Sequence, residues 1–313
     1  MAFVFCLAQL SLRPFKKNMQ SNNPIIRHKF TADPTALVHN DTVYLYTGHD
    51  EAPPGTEAYI MNEWLCFSST NLAEWTEHPV PLKATDFSWA SGNAYASKVI
   101  AHNGKFYWYV AVAHASIKGS AIGVAEADNP SGPFKDARGS ALVTLDMLPS
   151  HVHEKANLDP SVIVDDNGPA YIFWGNKQCF YAKLKSNLVE LDGPINTLDL
   201  PGFEEGAHIH QRNGWYYLSY GYQMPEKVAY AMSRNIEGPW EFKGILNELA
   251  GNCETNRPAI IDFKDRSYFI YHNGGLKNGG SHRRSVCIDY LYYNGDDTMK
   301  RVIMTSEGVQ MAC

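Results

Sequence analysis

The stretch NLDPSVIVDDNGPAYIFWG, Asn157 to Gly175, holds two short apolar runs on either side of a polar turn. The first run is β-branched and the second aromatic, which is strand chemistry. The pair between them, Asn167-Gly168, is a two-residue hairpin turn, because both central residues must tolerate φ > 0. The chain repeats this statement four more times: DPTALVHNDTVYLYTG from Asp33, ASKVIAHNGKFYWYVAV from Ala96, EGAHIHQRNGWYYLSYG from Glu205 and RPAIIDFKDRSYFIYHNG from Arg257. Their turns are Asn40-Asp41, Asn103-Gly104, Asn213-Gly214 and Lys264-Asp265. In KFYWYVAV, Phe106, Trp108, Val110 and Val112 fall on one face at period two. A third strand follows each hairpin, near Leu65, Ile122, Phe180, Val228 and Val286. After three of these a loop ends in an aromatic (Trp75, Phe134, Trp240) that opens a fourth, outer strand.

Each unit therefore reads as a four-stranded antiparallel sheet. No amphipathic helix of ten residues interrupts residues 30–313. Four-stranded sheets repeated radially predict an all-β fold, a five-bladed β-propeller around a central channel, as one domain over residues 23–313. A β-sandwich is the competing architecture, but sandwiches seldom repeat internally. A propeller of the WD-repeat kind would carry Trp-Asp and Gly-His in each blade. Here Gly-His-Asp occurs once and Trp-Asp never.

Bulk composition narrows the function classes. With 313 residues, 44% hydrophobic and 19% charged, the chain can bury a sizeable core. Aromatics make up 12%, with 18 Tyr and 7 Trp, which suits either sugar faces or strand filling. A net charge of -6 argues against nucleic acid and anionic membranes as partners, and the short basic cluster His282-Arg283-Arg284 is no phosphate-tracking stripe. No apolar run approaches the length of a membrane helix. The six cysteines form no CxxC pair, so zinc and a disulfide framework are not indicated, and the placement of Cys66, Cys179 and Cys287 in strand-like runs leans towards a reducing compartment. Residues 1–22 form an N-terminal segment apart from the fold. AFVFCLAQLSL has the length of a signal-peptide core but no basic residue before it and no small-x-small site after it, and Met19 is an alternative start. As written, the chain fits the cytoplasm; a processed segment would imply the periplasm or secretion. A monomer is expected.

In a propeller the first strand of each blade lines the channel, so the leading residues converge on one mouth. Here they are Asp33, Ala96, Asp159, Glu205 and Arg257. A single Asp-Pro caps a turn or bonds a nearby N–H. Two in register, with a glutamate and an arginine in the equivalent places, put several carboxyl groups in one cleft. There they must shift one another's pKa values, the condition for an acid–base pair. The reaction that needs two carboxyl groups across a small gap, without a cofactor, is glycoside hydrolysis.

From Asn23 onward the chain resembles glycoside hydrolase family 43, in TADPTALV, YLYTGHDEA, FSWASGNAYASKVI, NLDPSVIVDDNG, EEGAHIHQRNGWYYLSY and HRRSVCIDYLYYN. The resemblance implies a five-bladed propeller of inverting enzymes acting on arabinose and xylose linkages of plant polysaccharides. It makes Asp33 the general base, Glu205 the general acid, and Asp159 the group that orients the acid and tunes its pKa. The family's Glu-Gly-Pro is Glu-Gly-Ala here, with the acid kept. Glu204 is expected on the opposite face of its strand. Among substrate-binding candidates, Trp89 is a sugar-stacking platform or a core plug. Arg284 resembles the family's sugar-binding arginine, with Arg283 its rival by alternation. His49 and Asp50 are candidates for the pocket rim, and Arg257 binds sugar or braces the carboxylates. His272 resembles the family's channel histidine. It would lie beside a structural calcium ion or serve as a hydrogen-bonded core histidine, because calcium prefers oxygen ligands. No cofactor is required.

The reading that follows is an exo-acting α-L-arabinofuranosidase, whose partner is an arabinose- or xylose-containing oligo- or polysaccharide. The same scaffold serves β-xylosidases, endo-xylanases and arabinanases. A non-catalytic carbohydrate-binding propeller is the alternative of another class, and the presence of all three carboxyl groups speaks against it. Five-bladed fructan hydrolases would be retaining, so product stereochemistry separates them.

Overall fold

The turn pairs take the left-handed backbone that two-residue hairpins need: Asn40 and Asp41 (φ 48° and 54°), Asn103 and Gly104 (49° and 77°), Asn213 and Gly214 (50° and 71°), Lys264 and Asp265 (47° and 60°). Two mirror-image central residues match the right-handed twist of the strands they join, so each repeat closes as a tight hairpin. The computed structural model describes residues 21–165 and 168–312. Asn167 and the segment 1–20 lie outside these.

The hairpins grow into five antiparallel sheets arranged as the blades of a propeller. Blade one is built from Thr31–His39, Thr42–His49, Glu63–Ser69 and the short Thr76–Glu77, and blade two from Ser97–His102, Lys105–His114, Ser120–Ala127 and Lys135–Asp136. Each adds a short fifth strand, Leu82–Lys83 and Ala90–Gly92 respectively. Blade three comprises Ser161–Val164, Ala170–Asn176, Gln178–Leu184 and Asn196–Leu198, and blade four His208–Arg212, Trp215–Tyr222, Lys227–Ser233 and Glu241–Asn247. The inner strands pack each against the next, and the last against the first. Among the described residues the only helical elements are two 3₁₀ turns, Ala84–Asp86 and Leu145–Met147.

Blade five corrects the expectation of four strands per unit, since it has three: Ala259–Phe263, Arg266–Asn273 and Ser285–Leu291. Its outer edge is covered by the segment that leads into blade one. Asn23 bonds the Ile288 backbone twice, giving Nδ2–H to its carbonyl (3.0 Å) and accepting its N–H at Oδ1 (2.8 Å). The Ile25 N–H goes to Val286 O and the Ser21 N–H to Val309 O. A buried edge must satisfy its N–H and C=O groups somewhere, and a side-chain amide does this without a further strand.

The core lies between the blades and not at the axis. Five apolar clusters fill the five seams between neighbouring blades. Phe106, Trp108, Val110 and Val112 all point into the seam between blades one and two, as their alternation predicts. Trp64, Trp108 and Trp174 are fully buried. Each such ring buries on the order of 200 Å², worth about 5 kcal/mol of transfer free energy before entropy. Rigid seams leave the channel mouth to polar groups.

Candidate active site

Asp33 and Asp159 reach the mouth by a backbone device that the sequence does not announce. Neither is the first residue of a regular extended strand. Asp33 lies at a break in register between Ala32 and Thr35, and Asp159 stands two residues before Ser161–Val164. Both are left-handed, with φ 48° and 56°, although each stands before a proline. A non-glycine residue there costs on the order of 1–3 kcal/mol, and aspartate is among the residues that tolerate it. The kink displaces the carboxylate from the strand's pleat. Glu205 gains its place from the next residue: Gly206, at φ 71°, turns the chain into His208–Arg212.

These three carboxyl groups line one cavity of about 230 Å³, together with Tyr59, Tyr95 and Arg284. Their environments differ. Asp33 is paired with the buried Arg284, which donates from NH1 to Oδ1 at 2.9 Å. The Asp33 N–H goes to Nδ1 of His272 at 3.1 Å, and that ring's Nε2–H reaches the Thr255 carbonyl at 3.0 Å. With one nitrogen accepting and the other donating, His272 is neutral. Burial and the neighbouring Arg284 push its pKa down to about 3. Asp159 accepts the Gly206 N–H at Oδ2 (2.7 Å) and lies 3.8 Å from Nε of Arg257. Burial raises its pKa to about 6, against the lowering effect of Arg257. Glu205 accepts one hydrogen bond, from Asn176 Nδ2 at 2.6 Å. Burial first, then the Asp159 charge, push it up to about 8, so it holds its proton at neutral pH. The mouth thus offers an ion-paired carboxylate, a protonated carboxylic acid, and a third carboxyl group coupled to the second. That set can deliver a proton to a leaving oxygen and accept one from water.

The substrate-binding candidates fall into different places. Arg284 faces the cavity and Arg283 does not: Arg283 bonds the Pro53 carbonyl at the surface. Asp50, expected at the rim, is 2% exposed and grips Arg284, accepting from Nε (2.9 Å), NH2 (3.0 Å) and the backbone N–H (2.9 Å). It anchors the arginine and offers nothing to a sugar. His49 pairs with Glu63 at 3.2 Å, away from the cavity lining. Trp89 also stands off the cavity, giving its Nε1–H to Asp136 (2.9 Å) and packing on Phe87 and His114. Arg257, 5% exposed, spends its guanidinium on backbone: NH1 donates to the Pro34 and Ser97 carbonyls and NH2 to Pro160, one from each of three blades. Glu204 also lines the cavity, held by an ion pair with Lys177. It precedes the strand, so alternation does not apply to it.

Several cavity residues escaped the sequence reading, Tyr59, Asn176 and Glu226 among them. Tyr59 stacks near Arg284, with the guanidinium 4.8 Å from its ring centre. Asn176 ends a blade-three strand as His49 ends one in blade one, which was a usable signal. Glu226 is a fifth carboxyl group of the lining, 2% exposed, accepting the Asn256 N–H at 2.9 Å. Burial and nearby Glu205 raise its pKa well above the ordinary range. It sits in a loop with no periodicity to mark it.

The channel below the mouth does not suit a calcium ion. Both nitrogens of His272 are used, and the axis beside it carries the Arg257 guanidinium. Lys98 is half-buried further along, pushed down to about 8 by desolvation and by Arg257. Two resident cations repel a third. Among the described residues no cluster of three His, Cys, Asp or Glu side chains could hold a metal, and no helix is long and apolar enough to cross a membrane.

Residues 21–299 match the family model of glycosyl hydrolases family 43. An arabinoxylan arabinofuranohydrolase of Bacillus subtilis (strain 168) is 29% identical over 94% of this chain and 66% of its own length, so the chain spans just under two thirds of that relative. Xylosidase/arabinosidase 43A of Humicola insolens is 28% identical over 87% of this chain and 97% of its own. An α-L-arabinofuranosidase of Clostridium thermocellum ATCC 27405, a solved structure, superposes with a TM-score of 0.76 at 33% identity, covering 91% of this chain and 98% of that one.

Proposed function

Since the chain belongs to glycosyl hydrolases family 43 and is a glycosidase, we propose that it is an inverting, exo-acting α-L-arabinofuranosidase that trims arabinose from plant cell-wall polysaccharide or its oligosaccharides. The carrying observation is the contrast within one small cavity between Asp33, ion-paired to Arg284, and Glu205, raised to about 8. Asp33 as base draws a proton from water, which attacks the anomeric carbon from one face. Glu205 as acid protonates the departing glycosidic oxygen on the other. Asp159 keeps that acid protonated and, through the Gly206 N–H, holds the backbone beside it. Oxocarbenium-like charge develops at the sugar between them. A cavity of about 230 Å³ favours one sugar unit over a long glycone, hence exo action.

The arabinose preference leans on the relatives named for that activity. A β-xylosidase is the second reading, supported by the relative named for both sugars. Parallel release assays with chromogenic α-L-arabinofuranoside and β-xyloside separate the two. Glu205→Gln and Asp33→Asn are each expected to lower turnover by about 10²–10⁴-fold while the protein stays folded. A variant that keeps near-full rate removes the role given to that residue. Following the anomer of the first product by proton NMR tests inversion, and a retained configuration overturns it.

A further inference from the structure

One layer below the mouth, the inner strands bring a ring of hydrogen-bond donors to the propeller axis. Arg257 closes the top of this layer, giving NH1 to the Pro34 and Ser97 carbonyls and NH2 to that of Pro160. The next residues on those three strands are Thr35, Lys98 and Ser161, and His208 opens the inner strand of blade four. We propose that this ring binds one small monovalent anion of the size of chloride, held on the axis with the Lys98 ammonium as its counter-charge. The site belongs to the scaffold beneath the pocket and is independent of which sugar the enzyme releases.

Donors in this layer outnumber acceptors. The Ser161 hydroxyl oxygen accepts the Ile209 N–H at 3.1 Å, and His208 Nε2 accepts the Ile260 N–H at 3.1 Å. Each residue thereby ties its blade to the next with a lone pair and keeps a proton to give, the serine O–H and the histidine Nδ1–H. His208 is 3% exposed, and no described residue accepts from its Nδ1. The buried Thr35 hydroxyl has no partner either. Lys98 adds three N–H donors, with no hydrogen bond or ion pair to any described residue. It stands on an innermost strand, so its partial exposure opens onto the channel and not onto the outer surface.

The charges agree. Arg257 has a counter-charge in Asp159, at 3.8 Å, and Lys98 has none. Desolvation and Arg257 bring the Lys98 pKa down to about 8, which leaves the ammonium charged at neutral pH. Burial and the Lys98 charge hold His208 well below the ordinary histidine range and bring His210 down to about 3. Both rings that face Lys98 from blade four are therefore neutral. One positive charge is left uncompensated inside the protein, and a single negative charge balances it. A cation would be repelled here, and a dianion would exceed the charge to be matched.

Thermal melts of the whole protein in sodium chloride and in sodium gluconate, at equal ionic strength, test the site without any assay of activity. Chloride in roughly hundredfold excess over its Kd is expected to raise Tm by about 3–5 °C relative to gluconate, which is too large to enter the ring. In Lys98→Met the difference between the two salts should shrink to under about 1 °C. Its Tm in gluconate should not fall below that of the parent, because the variant removes an unpaired charge from the channel. Equal melting of the parent in both salts, or a variant that keeps the chloride increment, overturns the site. Crystals soaked in bromide locate it independently of the variant. An anomalous peak within hydrogen-bonding reach of Lys98 Nζ and His208 Nδ1 supports the proposal, and a channel with no peak there overturns it.

Discussion

Asp159 takes a hydrogen bond from the Gly206 N–H while its charge bears on Glu205. These two effects can be separated, because asparagine keeps an oxygen to accept the N–H and loses the charge. A carboxylate neighbour makes ionising Glu205 harder, which is part of why its pKa stands near 8. With that neighbour neutral, Glu205 gives up its proton at lower pH. The alkaline limb of kcat/KM in Asp159→Asn should therefore move down by about one pH unit, with lower turnover. A pH–rate profile checks this, and an unmoved limb would show that Asp159 does not tune the acid. At this scale the sequence was legible where chemistry repeats: two Asp-Pro pairs and a glutamate in register. The roles of Asp50 and Arg257 were not, because a charged residue spent on a buried partner looks the same in a sequence as one offered to a ligand. Glu226, alone in a loop, had no pattern to betray it.

Hairpins were the most legible elements, since Asn-Gly and its analogues carry a backbone requirement that few other residues meet. The outer strand of blade five was not, because its place is filled from 265 residues away by Asn23. Such pairing depends on the closure of the ring, which no local window contains. The left-handed aspartates were hidden for the opposite reason: local rules put a residue before proline in extended backbone, and the closed ring overrides them. Asn23→Ala removes the bonds to Ile288 and leaves a buried N–H unpaired, at a cost of about 2–3 kcal/mol. Thermal melts should show Tm lower by about 3–5 °C. The strand it braces also begins beside Arg284, whose carbonyl takes the Thr31 N–H, so KM for the sugar should rise as well. An unchanged melting curve would mean the outer edge of blade five closes without this clasp.

At the scale of the molecule, repetition made the propeller readable before any motif was interpreted. The content of its axis was not readable, because Lys98 sits in an ordinary alternating strand and nothing local says that it faces Arg257. With guanidinium and ammonium groups along the channel, the protein supplies its own axial cations. Removing free metal with EDTA, or adding millimolar calcium, should shift Tm by less than about 1 °C. A rise of several degrees with calcium would reveal a site that these charges do not exclude.

The hydrogen bond between Ser21 and Val309 has a consequence of its own. Because the path that leaves blade five returns to the one that enters blade one, the order of the blades is cyclic and not linear. Each blade has two neighbours, and none is first except by the accident of where translation starts. A gene re-cut at an exposed hairpin such as Asn103-Gly104, with the old ends joined, would spell a different sentence and still describe the same circle.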